Sequence, residues 1–409
     1  MNKKWLLVCS SVAVVAITAA ITYSVSYSIA MDKFNKKVAE VNERQAMYTK
    51  LSELDQDVRQ KYIGKIDEEK LMDAMRRGYI EGLSNKYSLY LSEDEYQNYS
   101  SIESGKFIGI GISIIKNSDG NLEIVYVEND SPASKAGIYK GDVIKTINGS
   151  SVKDMSLYQA KLKLHGPIGS SVNVDIDRQE ASKEDQAKVE IKSYTISVNI
   201  EKYQEKTIDY RILNEKLGYV SISNFISSTP KDYERAINDL LSKGCSSFVI
   251  DLRNCMDGNI DYASEILDAI LPQGDLISTI DKDSNKNVIK TSSSKHVDYP
   301  ISVLVNNKTT GAAELFASNI KDYNRGSVIG EITAGETVKK DVLALSDGTA
   351  AIIPSAHYVT LNGEILTGKG LSPTKYIDLS ADKRTLLDRH NLQDNDDLQL
   401  KGAIEELSK

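Results

Sequence analysis

The chain has 409 residues, of which 41% are hydrophobic and 26% are charged, and its formal net charge is −8. This balance is typical of a folded protein with room for two or three domains, and it excludes a chain that is disordered throughout. The acidic charge, with no cluster of lysine and arginine, argues against a nucleic acid partner, because phosphate binding requires a basic face.

The amino-terminal segment is a candidate membrane anchor. Residues 5–31 contain no charged side chain and follow Lys3 and Lys4. An apolar helix of ~20 residues crosses a bilayer, so this segment is long enough to span one. A cleaved secretory signal is the alternative, since residues 28–30 (Ser-Ile-Ala) offer a cleavage site, but the length of the apolar run favours an uncleaved anchor. With residues 1–31 as the anchor, we expect a single-pass protein of the bacterial cytoplasmic membrane whose soluble part is extracytoplasmic.

Residues 32–95 are predicted to be an amino-terminal helical region. Apolar residues at positions 71, 72, 75, 79, 80 and 83 recur with the period of an α-helix, and the opposite face is charged. The simpler expectation is that these helices pack against the chain's own core. Such helices can also pair two chains. This leaves two alternative partners, a second copy of this chain or a related chain.

Residues 96–195 are predicted to form a domain that resembles a PDZ domain. Its signature lies in residues 131–149, which contain Ser-Pro-Ala-Ser-Lys-Ala-Gly and then Gly-Asp-Val-Ile. In such domains the backbone N–H groups of a glycine-containing loop bind a peptide's terminal carboxylate, while the next strand pairs with the peptide. A helix near residues 156–164 would complete the groove, although Leu164 fits the domain core equally well. The resemblance implies these peptide-binding residues: Phe107, Ile108, Gly109, Ile110, Gly111, Leu157, Lys161 and Leu164.

Residues 196–409 are predicted to form an α/β core, because strands alternate with helices from residue 218 onward. The predicted strands lie at 219–222, 248–252, 301–305 and near 328 and 350, and the predicted helices lie at 231–241, at 262–270 and from 312.

Three segments at the ends of these strands carry a family resemblance. The first, from Asp251 to Gly258, is similar to an Asp-Leu-Arg-Asn-Asn-Pro-Gly-Gly pattern, and the second, from Asn306 to Glu314, is similar to Asn-x-Gly-Ser-Ala-Ser-Ala-Ser-Glu. The third, residues 330–340, is similar to Gly-x-x-Thr-Phe-Gly-Lys-Gly-x-x-Gln. These patterns resemble the carboxyl-terminal processing protease family, and the resemblance runs from about residue 55 to 407. The expected fold is therefore a protease-like α/β core with a PDZ domain, amino-terminal helices and one transmembrane helix.

The positions that carry catalysis in this family have changed. Aligned on the flanking residues, Gly311 occupies the position of the nucleophilic serine, Glu336 that of the general-base lysine, and Lys340 that of a glutamine. Glycine supplies no hydroxyl group, and a lysine base is needed to activate one. The resemblance also implies an oxyanion region at Asp257, Gly258 and Ala312, where a carboxylate at 257 would oppose the negative charge of the transition state.

These changes predict a proteolytically inactive homologue that binds carboxyl-terminal peptide tails. The competing hypothesis is an active serine-type endopeptidase that uses displaced residues, Thr310 with Lys340, and a third hypothesis is a regulatory partner of an active paralogue. His165 stands where the family commonly has arginine.

No metal or cofactor is predicted, because the four histidines at 165, 296, 357 and 390 show no ligand spacing. Cys245 and Cys255 flank one predicted strand, too far apart for a disulfide, so we expect two buried thiols.

Overall fold

The computed structural model describes residues 3–103, 108–181, 189–203, 205–256 and 258–408; within its helices and strands, the side chains of residues 3–17, 40, 102, 103, 108, 158, 181 and 189 are not described. The chain divides into two units, residues up to Met75 and residues from Arg76. The helices are α1 Lys3–Lys61, α2 Glu68–Glu81, α3 Glu93–Glu103, α4 Pro132–Lys135, α5 Leu157–Lys163, α6 Thr229–Ser242, α7 Ile260–Ile270, α8 Ala312–Asp322, α9 Ala381–Asp388 and α10 Leu398–Leu407.

The strands belong to four sheets. They are β1 Leu89–Leu91, β2 Ile108–Gly109, β3 Ile112–Lys116, β4 Leu122–Val127, β5 Val143–Ile147, β6 Ser150–Ser151, β7 Ser171–Ala181, β8 Val189–Asn199, β9 Glu201–Lys202, β10 Ile208–Asn214, β11 Leu217–Ile222, β12 Ser247–Asp251, β13 Gly274–Asp281, β14 Lys286–Ser292, β15 Ile301–Val305, β16 Gly326–Gly330, β17 Val338–Ala344, β18 Ala350–Val359 and β19 Lys375–Tyr376.

The first unit is helical. It contains α1, a helix of 59 residues, and the start of α2. Over the residues that the structure describes, no helix has an apolar stretch of the length that a bilayer requires. The predicted anchor at residues 5–31 lies partly among the side chains outside that description.

The prediction of helix throughout residues 32–95 is wrong at residues 62–67 and 82–92, which are not helical. Residues 89–91 form β1, which pairs antiparallel with β18 through the register Leu89–Ile352 to Leu91–Ala350. Tyr90 and Leu91 are 2% and 1% exposed, so this short apolar stretch is extended because it completes a sheet. The pairing of β1 with β18 joins segments that are far apart in the chain, so the local periodicity of apolar residues does not predict it.

The PDZ-like part of the second unit is an antiparallel sheet of order β3-β4-β5-β7-β8, with β6 paired to β5. Its apolar residues form one cluster, which includes Ala160 of α5 and Leu164 at the C-cap of that helix. The predicted helix near residues 156–164 is confirmed, and Ser156 caps it by accepting from the Gln159 N–H.

The protease-like part is built on the sheet β10-β11-β12-β15-β16-β19, which is parallel except at β10. Side chains alternate along its strands, so the sheet has two apolar faces. Helices α6, α7 and α8 cover one face, and α10 covers the other with Leu400 and Ala403. This arrangement confirms the predicted α/β core, and Cys245 and Cys255 are both buried in it.

Candidate functional site

The turn between β15 and α8 places position 311 at the carboxyl edge of the parallel sheet. Thr309, which is fully buried, accepts from the Asn306 N–H at 3.0 Å and donates to the Leu252 carbonyl at 2.9 Å. Asn306 also exchanges hydrogen bonds with Asn254, at 3.0 and 2.8 Å. The turn is therefore fixed to the end of β12, and Thr309 has a structural role within it.

Gly311 has an unusual backbone conformation, with φ +53° and ψ −114°. Side chains strongly disfavour this combination, whereas glycine tolerates it. Space is not limiting, because a Cβ added at Gly311 would have only the Glu336 carbonyl oxygen nearby, at 3.8 Å. Positions 311 and 336 thus face each other, as the alignment of the two motifs requires.

Glu314 holds these two positions together. Its Oε2 accepts from the N–H groups of Gly311 and Glu336, at 3.1 and 2.8 Å. Its Oε1 accepts from the Gly335 N–H at 2.7 Å and from the Thr333 hydroxyl. The side chain has no solvent exposure, and burial raises the pKa of the Glu314 carboxyl while the four donors oppose that rise.

Glu336 forms an ion pair with Lys86, with Nζ 2.7 Å from Oε1. Hydrogen bonding to the Glu336 carboxylate is the main reason that the pKa of Lys86 is raised. Both side chains are substantially exposed, 63% for Lys86 and 41% for Glu336. A lysine acts as a base when burial lowers its pKa, and Lys86 is in the opposite situation. Lys86 was not predicted as a site residue, because no local sequence pattern indicates that it pairs with the distant Glu336.

The other residues predicted for the catalytic region lie on several different elements. Lys340 is exposed on β17, and the Thr310 N–H donates to the Cys255 carbonyl at 3.0 Å. Ala312 is buried as the first residue of α8. Gly258 has φ +130°, and Phe225 occupies the space where a Cβ would lie. Asp257 lies outside the described residues, so its predicted opposition to an oxyanion stays a prediction.

The predicted carboxylate loop has a defined orientation. The carbonyl of Ile110 accepts from the Ala133 N–H, and the carbonyl of Gly111 accepts from the Glu128 N–H, each at 2.9 Å. In a trans peptide the N–H points opposite to the C=O. The N–H groups of Gly111 and Ile112 therefore point away from Ala133 and Glu128, as binding of a carboxylate from the other side requires.

Three of the peptide-binding residues predicted from the sequence contribute to the apolar core. Ile110 and Leu164, 2% and 3% exposed, belong to the apolar core of the PDZ-like part, and Leu157 packs against that core. The side chains of Ile110 and Leu164 are thus core residues and not groove contacts. Phe107 lies outside the described residues, as does the side chain of Ile108.

A cavity of about 550 Å³ connects the PDZ-like part to the protease-like part. On one side it is lined by Gly111, Ile112 and Lys161. On the other side it is lined by Asn254 and other residues of the core. Asn254 is hydrogen-bonded to Asn306 in the turn that leads to position 311, so the cavity reaches a residue that holds this turn.

Comparison with known proteins agrees with this architecture. A model of peptidase family S41 matches residues 216–377, and a PDZ domain model matches residues 108–192. The chain is 29% identical over 327 residues to the carboxy-terminal processing protease CtpA of Bacillus subtilis, covering 80% of this chain and 68% of that protein. It is 28% identical over 380 residues to a probable CtpA-like serine protease of Staphylococcus aureus, covering 92% of this chain and 73% of that protein.

Among solved structures, the chain is similar to the photosystem II D1 C-terminal processing protease. The TM-score is 0.56 at 25% sequence identity, and the match covers 80% of this chain and 86% of the other. The PDZ-like groove, the α/β core and the facing positions 311 and 336 occur together in one chain that matches these proteins over most of its length. Together, these matches support a member of the carboxyl-terminal processing protease family.

Proposed function

We propose that this family member binds carboxyl-terminal peptide tails without cleaving them. The observation that carries the proposal is the pair of facing positions 311 and 336, which hold a glycine and a glutamate paired with Lys86. Serine-type cleavage requires a hydroxyl nucleophile next to a base that can take its proton. Glycine provides no hydroxyl, and position 336 has no amine but a carboxylate that pairs with the Lys86 ammonium.

Tail binding is supported by the groove. The N–H groups of Gly111 and Ile112 point away from Ala133 and Glu128, and β3, which begins at Ile112, is an edge strand of its sheet. An edge strand can pair with an extended peptide, which is how PDZ domains bind their ligands. The cavity beside this strand provides room for the tail.

The location of the protein forms part of the proposal. Residues 5–31, without a charged side chain, would anchor the chain in the cytoplasmic membrane, with the soluble part outside. A partner could be a second copy of the chain or an active paralogue. The mass of the complex isolated from its native membrane would distinguish a monomer, a homodimer and a mixed complex.

The direct test is incubation of the full-length chain in detergent with an unstructured protein substrate. We expect the substrate to remain intact and a fluorophosphonate probe to label no residue. Cleavage that persists through repurification, with the probe mapped to Thr310, would establish the competing hypothesis of an endopeptidase and refute the proposal.

A second prediction concerns Gly111, where φ is +77° and an added Cβ would lie 2.4 Å from the Ser131 Cβ. We expect Gly111→Ala to displace the loop and to weaken binding of a free-carboxylate peptide about tenfold, because strain of this kind costs ~1–3 kcal/mol. Fluorescence anisotropy with labelled peptides measures the change.

Gly120→Ala is the matched control, because Gly120 also has φ +77° but its nearest neighbour to an added Cβ is at 3.8 Å. It should strain the backbone equally and leave peptide affinity unchanged. Equal affinities for the two variants would show that the loop does not bind the tail.

A third prediction concerns restoration of the catalytic pair by Gly311→Ser with Glu336→Lys. We expect at most weak cleavage, measured by release of a fluorogenic peptide. A side chain at 311 must adopt φ +53°, which costs ~1–3 kcal/mol, and position 336 is too exposed for burial to lower the pKa of a lysine. Gly311→Ser alone is the control; cleavage by the double variant at the rate of an active relative would show that the surroundings still support catalysis.

A further inference from the structure

His165 lies against the carboxylate loop. It lies two residues after the end of α5, and a Cβ added at Gly109 would be 3.2 Å from both its Cδ2 and its Nε2. The same side chain lines the cavity beside Gly111. The position of the chain at His165 is supported from α3, where the Asn98 side-chain amide donates to the His165 carbonyl at 3.4 Å.

The hydrogen bond of the ring decides where it gains a proton. Nδ1 of His165 is 2.6 Å from the Lys161 carbonyl oxygen. A carbonyl oxygen only accepts hydrogen bonds, so Nδ1 carries the hydrogen in the neutral ring. The second proton must therefore bind at Nε2, the nitrogen that lies beside Gly109.

We infer that His165 forms part of the site for the terminal carboxylate of a bound tail, so that tail binding strengthens as the pH falls. The inference rests on the proposed function and adds a residue and a pH dependence to it. The carboxylate would accept from the outward N–H groups of Gly111 and Ile112 and from the protonated Nε2. A hydrogen bond between an imidazolium and a carboxylate is charge-assisted and stronger than a neutral one.

Charged side chains lie on several of the elements around the His165 ring and the loop. Lys161 on α5 is the charged neighbour that affects the ring, and burial together with its repulsion lowers the pKa of His165. On β9, Glu201 pairs with Gly109 in register but is engaged by Lys135 at 3.5 Å. Glu128, on the carbonyl side of the loop, also lines the cavity.

The sign of the pH effect follows from linkage. Without a tail, the lowered pKa keeps the ring neutral at pH 7.5. A bound carboxylate favours the imidazolium, so the pKa of His165 in the complex lies above that in the free protein. Affinity therefore rises as the pH falls through the pKa of the complex, and it becomes constant below the pKa of the free protein.

The test uses the full-length chain in detergent and a labelled pool of decapeptides with randomised last four residues, as free acids and as amides. Affinity is measured by anisotropy from pH 8 to pH 5 for the parent, His165→Gln, His165→Arg and His390→Gln. His390 lines the same cavity and serves as the control. We expect the parent to bind free acids about tenfold more tightly at pH 5.5 than at pH 7.5, the effect of about one unit of pKa difference.

The variants separate the inference from the proposed function. His165→Gln should lose the pH dependence, His165→Arg should bind tightly at both pH values, and His390→Gln should behave as the parent. The NMR titration of the His165 ring should move to higher pH when the free-acid pool is added. Binding of free acids without a pH dependence, or with one that His165→Gln retains, overturns the inference alone. Equal binding of acids and amides, or no binding by the folded protein, overturns the proposed function as well.

Discussion

Replacement of Glu314 by glutamine is expected to lower the free energy of unfolding by about 3–5 kcal/mol. The Glu314 carboxylate is fully buried and accepts from four donors: the N–H groups of Gly311, Gly335 and Glu336 and the hydroxyl of Thr333. An amide nitrogen cannot accept, so glutamine would leave two of these buried donors without a partner. Urea denaturation at pH 7.5 measures the loss.

Glu336→Gln is the matched control, because it makes the same change at an exposed carboxylate a short distance away. The Glu336 side chain pairs with the exposed Lys86, and surface ion pairs contribute about 0–1 kcal/mol. If Glu314→Gln were as mild as Glu336→Gln, Glu314 would not be the group that holds positions 311 and 336 together.

Replacement of Arg253 by methionine is expected to cost a similar amount, about 3–5 kcal/mol, because it removes one partner of a buried ion cluster. The Arg253 side chain is 3% exposed and pairs with Asp251 and Asp397, each 5% exposed. Asp251 also accepts from the Tyr219 hydroxyl at 2.7 Å, and Asp397 caps α10. Without the guanidinium, two carboxylates would be buried close together with no cation.

Chemical denaturation at several pH values tests this prediction. The loss should decrease as the pH falls, because protonation removes the charge from buried carboxylates that have lost their cation. Arg235→Met, which breaks an exposed ion pair with Asp232, is the control and should cost less than about 1 kcal/mol. A loss for Arg253→Met that is independent of pH would mean that the carboxylates do not carry the effect. Adding Asp251→Asn and Asp397→Asn should recover part of the stability.

The sequence predicted the order of elements well where periodicity is strong. The strand at 301–305 and the helices near 231–241 and 262–270 lie where the pattern of apolar residues predicted them. It missed the hairpin of β13 and β14 and the strand β17, which carry mixed polar and apolar residues. Strand propensity depends on the neighbouring strand, which a local pattern does not contain.

At the candidate site, too, the sequence predicted the local motifs but not the contacts between distant segments. The motifs were sufficient to match Gly311 with Glu336, and Glu314 served only as a marker for that match. Its role as the acceptor for four donors depends on segments that meet after folding, as does the pairing of Lys86 with Glu336. The predicted groove residues Ile110 and Leu164 turned out to be core residues because one face of α5 and the loop packs inward.

The sequence by itself determined which chemical groups exist at each position. Position 311 has no hydroxyl and position 336 has no amine in any conformation, so the absence of the usual catalytic pair required no structure. Only the tertiary structure decided which groups meet: Lys86 with Glu336, Arg253 with Asp397, and His165 with the loop at Gly109. The physical reason is that side-chain chemistry is a property of the residue, whereas pairing between distant residues depends on the packing of whole elements.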